Sequence, residues 1–189
     1  MDFGHDTICA LGTVADLVNT APETAGGEHL GDLAALQDFV AQHEVSEVGL
    51  LTKADLDVVR RVRARLHAIF RAPDQRAAID MVNGLVADAR TTPRLTNHDG
   101  HPWHVHYFAP GASLAEHIAA DGGMALAFVV AADERDRLRV CDAPDCSRVL
   151  VDLSRNRCRR YCDSRTCGNR LHVAAYRARR AASGVAVGG

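Results

Sequence analysis

The sequence of 189 residues predicts an α+β chain: a mainly helical N-terminal domain with one small β-hairpin, followed by a small cysteine-rich module that ends in a helix. Three observations predict this fold class. Apolar residues recur at helical spacing through much of the N-terminal part, one Asp-Gly turn signal lies between two strand-like segments, and four cysteines form two equally spaced pairs near the C-terminus. We expect a domain over residues 1–135, the cysteine module over residues 136–183 and a disordered tail over residues 184–189.

The N-terminal domain carries its apolar residues at spacings of three and four, the pattern of helices that bury one face. Thr52 is placed to cap one helix, with Asp55 in the capping-box position, and Ser113 is placed to cap another. The last of these helices has little polar face, so we expect it to be the buried central helix, broken or strained near Gly122 and Gly123. An apolar segment is predicted over residues 8–18, and helices over residues 29–43, 53–70, 73–89 and 114–132.

The predicted hairpin precedes the central helix and is rich in histidine. His104 and His106 are two residues apart and therefore share one face of its second strand, and His98 and His101 are close to them in sequence. A second metal site, an enzyme or pH-sensing site, and a solvent-exposed polar face are all compatible with this cluster. His117 on the following helix can approach it.

The four paired cysteines predict one structural zinc ion. Cys141 and Cys146 have four residues between them, as do Cys162 and Cys167, and fifteen residues separate the two pairs. Two equal pairs on turn-rich segments fit a tetrahedral site of four thiolates. Such a site leaves no open position for water, so the ion holds the module together and takes no part in catalysis. Two disulfides, or buried thiols without metal, are the alternatives.

Two further cysteines lie outside these pairs. Cys158 lies four residues before Cys162 and can compete for the ion or serve as a redox-sensitive thiol. Cys9 lies in an apolar segment, which predicts a core residue.

The charge of the chain is divided unevenly along its length. Residues 147–182 contain ten arginines but only two acidic residues, a formal charge of +8, whereas the rest of the chain carries −10. Such a basic segment suits a polyanion. Arginine forks bind phosphate and guanine edges, so we expect nucleic-acid contacts on the terminal helix and on the loop before it. The candidates are Arg155, Arg157, Arg159 and Arg160 on the loop, and Arg170, Arg177 and Arg180 on the helix. RNA or an acidic protein can use the same charges, and a solvated charged face is the remaining alternative.

The cysteine module resembles the CGNR zinc-finger family. The resemblance lies in residues 162–170, which end in Cys-Gly-Asn-Arg, in the Cys-x4-Cys spacing of the first pair, in the lead-in at residues 159–161 and in the pattern at residues 176–179. The upstream part is similar to the ABATE domain, on residues 17–20 and 100–103. This resemblance implies a mostly helical domain with a small β element, then a treble-clef-like zinc finger with a DNA-binding role, in stress-related bacterial transcription regulators. The module is called the finger below.

The sequence therefore predicts a cytoplasmic, non-enzymatic transcription regulator. Its finger would bind DNA, and its N-terminal domain would sense a small-molecule ligand or form a homodimer. The N-terminus lacks the basic and apolar regions of a signal peptide, and no apolar run reaches the length of a membrane span. No phosphate loop, dinucleotide fingerprint or nucleophile elbow occurs. The alternatives are a small-molecule-binding or metal-dependent enzyme domain stabilised by the zinc module, with a pocket lined by His104, His106 or His117, and a protein-interaction finger.

Overall fold

The computed structural model describes residues 3–97 and 103–185, with side chains described as far as residue 180. Within these ranges the chain forms α1 (His5–Val18), α2 (Pro22–Ala25), α3 (Leu33–Gln42), α4 (Lys53–Phe70), α5 (Gln75–Asp88), β1 (Arg94–Thr96), β2 (His104–His106), α6 (Leu114–Ala131), a 3-10 turn (Arg135–Arg137), β3 (Leu138–Val140), β4 (Val149–Val151), a π-helical turn (Ser164–Gly168) and α7 (Asn169–Val185). The mainly helical fold with two small strand pairs and a terminal helix is the predicted one.

Helix starts are set by side chains that accept hydrogen bonds from otherwise free backbone N–H groups. Thr52 and Asp55 form the predicted capping box at α4, with Thr52 N donating to Asp55 Oδ2 at 2.8 Å. Ser113 forms the same reciprocal pair with the glutamate three residues on, at the start of α6. Helices α3 and α5 begin later than predicted, because Asp32 and Asp74 act as their N-caps.

Helix α6 is the centre of the N-terminal domain and packs against α1, α4 and α5. It is continuous, so the expected break at Gly122 and Gly123 is wrong. A Cβ atom on Gly122 would lie 2.6 Å from Val14 Cγ2 on α1, and one on Gly123 would lie 2.9 Å from Val86 Cγ2 on α5. The two glycines therefore allow close helix packing. Among the described residues α6 is the one helix long and apolar enough to cross a membrane, but 67% of that stretch is buried inside the protein.

A buried arginine joins α4 to the chain between α2 and α3. Arg63 is 6% exposed and donates to Glu28 Oε1 at 2.7 Å and to Glu28 Oε2 at 2.6 Å. It also donates to Thr20 Oγ1 at 3.0 Å. The hydrogen bonds from Arg63 hold the pKa of Glu28 below its usual value, although partial burial acts in the opposite direction.

The hairpin β1–β2 is antiparallel, and Arg94 lies opposite His106 in its register. His106 is buried and His104 is half-buried. The turn between the strands lies outside the described residues, and with it His98 and His101.

The hairpin β3–β4 packs against the core of the N-terminal domain and against the cysteines of the finger. Leu138, Val149 and Val151 join the core of the N-terminal domain, whereas Leu150 packs with the cysteines. The Asn19 side chain completes the connection: its Oδ1 accepts from Val149 N at 2.8 Å, and its Nδ2 donates to Val149 O at 2.9 Å. Asn19 thus pairs with β4 as a neighbouring strand would, and the finger is fixed to the domain without a flexible linker.

A buried polar network reinforces this junction. Arg137 is 5% exposed and donates to Glu134 Oε2 at 2.7 Å, to Asp152 O at 2.7 Å and to Ser154 O at 2.9 Å. Glu134 forms a second ion pair with Arg157, whose NH2 lies 2.6 Å from Glu134 Oε1. Buried charges persist only when they are paired and hydrogen-bonded, a condition that this cluster meets.

Candidate metal centre

Four thiols converge beside the junction with the geometry of a tetrahedral metal site. The sulfur of Cys162 lies 3.7 Å from that of Cys146 and 3.8 Å from that of Cys167. The sulfur atoms of Cys141, Cys146, Cys162 and Cys167 all lie within 4.8 Å of one another. Zinc–sulfur bonds of about 2.3 Å in a tetrahedron place the sulfurs about 3.8 Å apart, whereas a disulfide requires about 2.05 Å. The four cysteines are thus positioned to hold one metal ion, which is consistent with a single zinc.

Two tight turns supply the four sulfurs. The first pair follows β3 directly, with Cys141 N donating to Arg148 O at 2.8 Å. The second pair spans the π-helical turn, whose N-cap is Asp163; the Asp163 carboxylate accepts hydrogen bonds from the N–H groups of Arg165 and Thr166 in that turn. Gly168 lies against Tyr161, where a Cβ atom would sit 3.4 Å from the ring. The turn capped by Asp163 leads directly into α7, which begins at Asn169.

Burial and hydrogen bonds shift the pKa values of three of these thiols in different directions. Burial raises the pKa of Cys146 and of Cys162. Burial acts the same way on Cys141, but N–H groups of Cys162 and Ala143 bond to its sulfur and lower its pKa overall. A divalent ion bound by the sulfurs would favour their ionised form.

Cys158 and Cys9 lie outside the site. Cys158 is exposed, and its backbone N–H donates to Ser154 Oγ at 3.1 Å. Cys9 is also exposed, so its predicted place in the core is wrong. Its sulfur lies 3.5 Å from His5 Nε2, one turn away on α1.

Several of the predicted nucleic-acid-binding arginines form ion pairs within the chain. Arg170 makes a two-pronged pair with Asp145, including a 2.6 Å contact from NH2 to Oδ1. Arg160 donates to Asp142 Oδ2 at 2.8 Å. Arg159 donates to backbone carbonyls of the second cysteine turn, and Arg157 pairs with the buried glutamate of the junction. The acidic partners lie just upstream of residue 147, outside the segment whose charge was counted, and for that reason sequence reasoning missed them.

The remaining predicted arginines are Arg155, Arg177 and Arg180, and all three are exposed. The last two lie on α7, where the Arg180 guanidinium lies 6.0 Å from the centre of the Tyr176 ring. Nucleic-acid contact by these side chains stays a prediction.

Helix α7 projects from the metal centre with little packing against the rest of the chain. Among residues 169–180, the part of α7 whose side chains are described, Leu171 in the first turn is half-buried and the others are exposed. Val173 is 39% exposed and Tyr176 is 54% exposed. Ala174, Ala175 and Ala178 therefore supply no buried packing surface within the described chain.

A separate cavity of about 690 Å³ lies in the N-terminal domain. The three histidines predicted as possible pocket residues, His104, His106 and His117, all line it, together with His5 and Asp121. Its volume is in the range of small-molecule sites.

Comparisons with protein families agree with this organisation. The model of the CGNR zinc finger matches residues 137–180. The model of the ABATE domain, described as "Putative stress-induced transcription regulator", matches residues 12–133. A search among curated proteins found no significant match. With almost two thirds of its length in the second match, the chain belongs to the ABATE family and carries a C-terminal CGNR zinc finger.

Proposed function

We propose that the protein regulates transcription in the cytoplasm by binding DNA through the finger, while the N-terminal domain senses a small ligand or forms a homodimer. The observation that carries this proposal is α7, a basic helix anchored at one end by the metal centre and exposed from residue 172 to residue 180. A helix presented by a metal-held turn is a common device for entering the major groove. No reaction is assigned to the chain.

The proposed contacts fall into two groups. Arg177 and Arg180 are three residues apart on α7, so they can project from neighbouring positions on one face. Arg155 on the loop is suited to a phosphate. Arg170 is already bound to Asp145, so it reaches DNA only if a phosphate replaces that carboxylate. The exchange is feasible because both side chains are more than half exposed.

The test is DNA binding by fluorescence anisotropy as a function of salt concentration. We expect the double variant Arg177→Ala, Arg180→Ala to bind more weakly than the wild type. Each lost phosphate contact should make the slope of log K against log salt shallower by about 0.9. A matched control, Arg61→Ala with Arg76→Ala, removes the same charge from exposed positions of the N-terminal domain and should leave the slope unchanged. No binding by the wild type at low salt, or equal binding by both double variants, would overturn the proposal.

The cavity favours a second candidate, a small-molecule-binding or metal-dependent enzyme domain that the finger merely stabilises. It contains the histidines on which such a function would depend. This candidate predicts that substitutions in the cavity alter ligand binding while the arginine variants of α7 have no functional effect. Binding to an acidic protein without affinity for DNA would instead indicate an interaction finger.

A further inference from the structure

The cavity in the N-terminal domain has an acidic lining. Its described lining contains the carboxylates of Asp6, Glu44 and Asp121, and no lysine or arginine is among the described residues that line it. Cations are attracted to such a cavity and anions are repelled. Helices α1 and α6, strand β2 and the loop after α3 contribute its walls, so the site belongs to the domain core and not to the finger.

Two imidazoles converge at this cavity. His104 and His106 extend from the same face of β2, and their Nε2 atoms lie 2.9 Å apart. Their rings are tilted by 55°, with centroids 4.7 Å apart. Two nitrogens bound to one zinc-like ion at roughly 2.0–2.1 Å, with an angle of about 90–110° at the metal, lie about 2.9–3.4 Å from each other. The observed separation meets this requirement without movement of the strand.

A carboxylate–histidine pair stands beside these imidazoles. His117 Nε2 lies 3.1 Å from Asp121 Oδ2, and the His117 ring stacks on Phe108 with centroids 3.6 Å apart. The rings of His106 and His117 are 5.9 Å apart. Among the described residues, no third donor approaches the two strand nitrogens closely enough to form a compact three-ligand group like that of the cysteines. A metal ion held by His104 and His106 would face the cavity, because both side chains line it.

We propose that His104 and His106 bind one exchangeable divalent transition-metal ion of the imidazole-preferring class, with its remaining positions filled by water or by a small ligand in the cavity. Imidazole nitrogen suits zinc, copper and nickel, and two protein ligands hold such an ion less tightly than the four thiolates hold theirs. The site names a ligand class for the sensing role proposed above. Its biological purpose rests on that proposed role, but metal binding itself does not. Metal binding is measured without DNA, so either proposal can fail while the other stands.

The test uses the full chain with zinc retained in the finger, titrated with Ni²⁺ by calorimetry and checked by metal analysis. We expect the wild type to bind one Ni²⁺ in addition to the finger ion. His104→Ala should weaken Ni²⁺ binding at least tenfold, and His104→Ala with His106→Ala should abolish it, both with the finger zinc unchanged. Thiolate-to-metal charge-transfer absorption should not appear on Ni²⁺ binding, because no sulfur is a ligand at this site.

The control is His29→Ala with His172→Ala, which removes two exposed histidines away from the cavity and should bind Ni²⁺ like the wild type. His106 is buried, so the double variant can fail to fold. The single variant His104→Ala changes a half-exposed side chain and tests the proposal in that case. Absence of a second ion in the wild type would overturn the proposal. A second ion bound equally by His104→Ala would overturn it as well.

Discussion

Replacing Asn19 with alanine should weaken the attachment of the finger to the N-terminal domain and lower the free energy of unfolding. The substitution removes both hydrogen bonds that the side chain makes with the backbone of Val149. Val149 is 1% exposed, so water does not readily replace the lost partner. A buried backbone group left unpaired costs about 1–3 kcal/mol. With two groups affected, we expect the free energy of unfolding to fall by about 2–4 kcal/mol.

Urea denaturation followed by circular dichroism measures this change, with zinc content determined in parallel. Asn19→Asp keeps the acceptor for Val149 N but replaces the donor to Val149 O with a carboxylate oxygen, which repels that carbonyl, so it should not restore the stability of the wild type. The control Asn156→Ala alters an exposed asparagine of the finger and should change stability by less than about 0.5 kcal/mol. If Asn19→Ala proves as stable as Asn156→Ala, the side chain does not connect the two parts, and the reasoning is refuted.

Three further predictions concern the metal, the core and pH. Cys162→Ser should lose the single zinc ion while Cys158→Ser retains it; equal zinc content in the two variants, by metal analysis, would contradict the ligand set. Gly122→Ala should lower the free energy of unfolding, measured by thermal denaturation, by about 1–3 kcal/mol, because the new methyl group overlaps a valine of α1. The control Gly84→Ala meets no such neighbour and should be neutral or stabilising by up to about 1 kcal/mol. The folded-state pKa of Glu28 lies below its unfolded value, so its stabilising contribution is complete above the unfolded pKa of about 4.3 and is lost as pH falls through the folded pKa. The stability difference between the wild type and Glu28→Gln should therefore shrink in acid; a pH-independent difference would count against the ion pair.

Local signals in the sequence predicted the local structure well. The capping box at Thr52 depends on residues three positions apart, and the cysteine spacing contains most of the information for the metal site, because two short turns need little else to bring the sulfurs together. Both features follow from chemistry within a few residues.

Features that depend on distant neighbours could not be predicted in this way. Gly122 was interpreted as a break, because the sequence does not reveal that a valine of α1 packs against it. Asn19 reaches β4 across 130 residues. Arg170 was expected to be available to DNA, yet it is bound by Asp145, which a count of charge over residues 147–182 left out. Charge composition identifies a basic segment, but only the fold determines which guanidinium groups are already bound.

The two-faced hairpin β3–β4 determines where the chain can be divided. A fragment beginning at residue 136 would retain the four cysteines, yet it would expose Leu138, Val149 and Val151 to water and lose the partner that Asn19 provides. Such a fragment should aggregate even when loaded with zinc. Exchange of fingers between related proteins must therefore carry compatible residues on the outer face of the hairpin, and recombination is expected to preserve that face together with the end of α1.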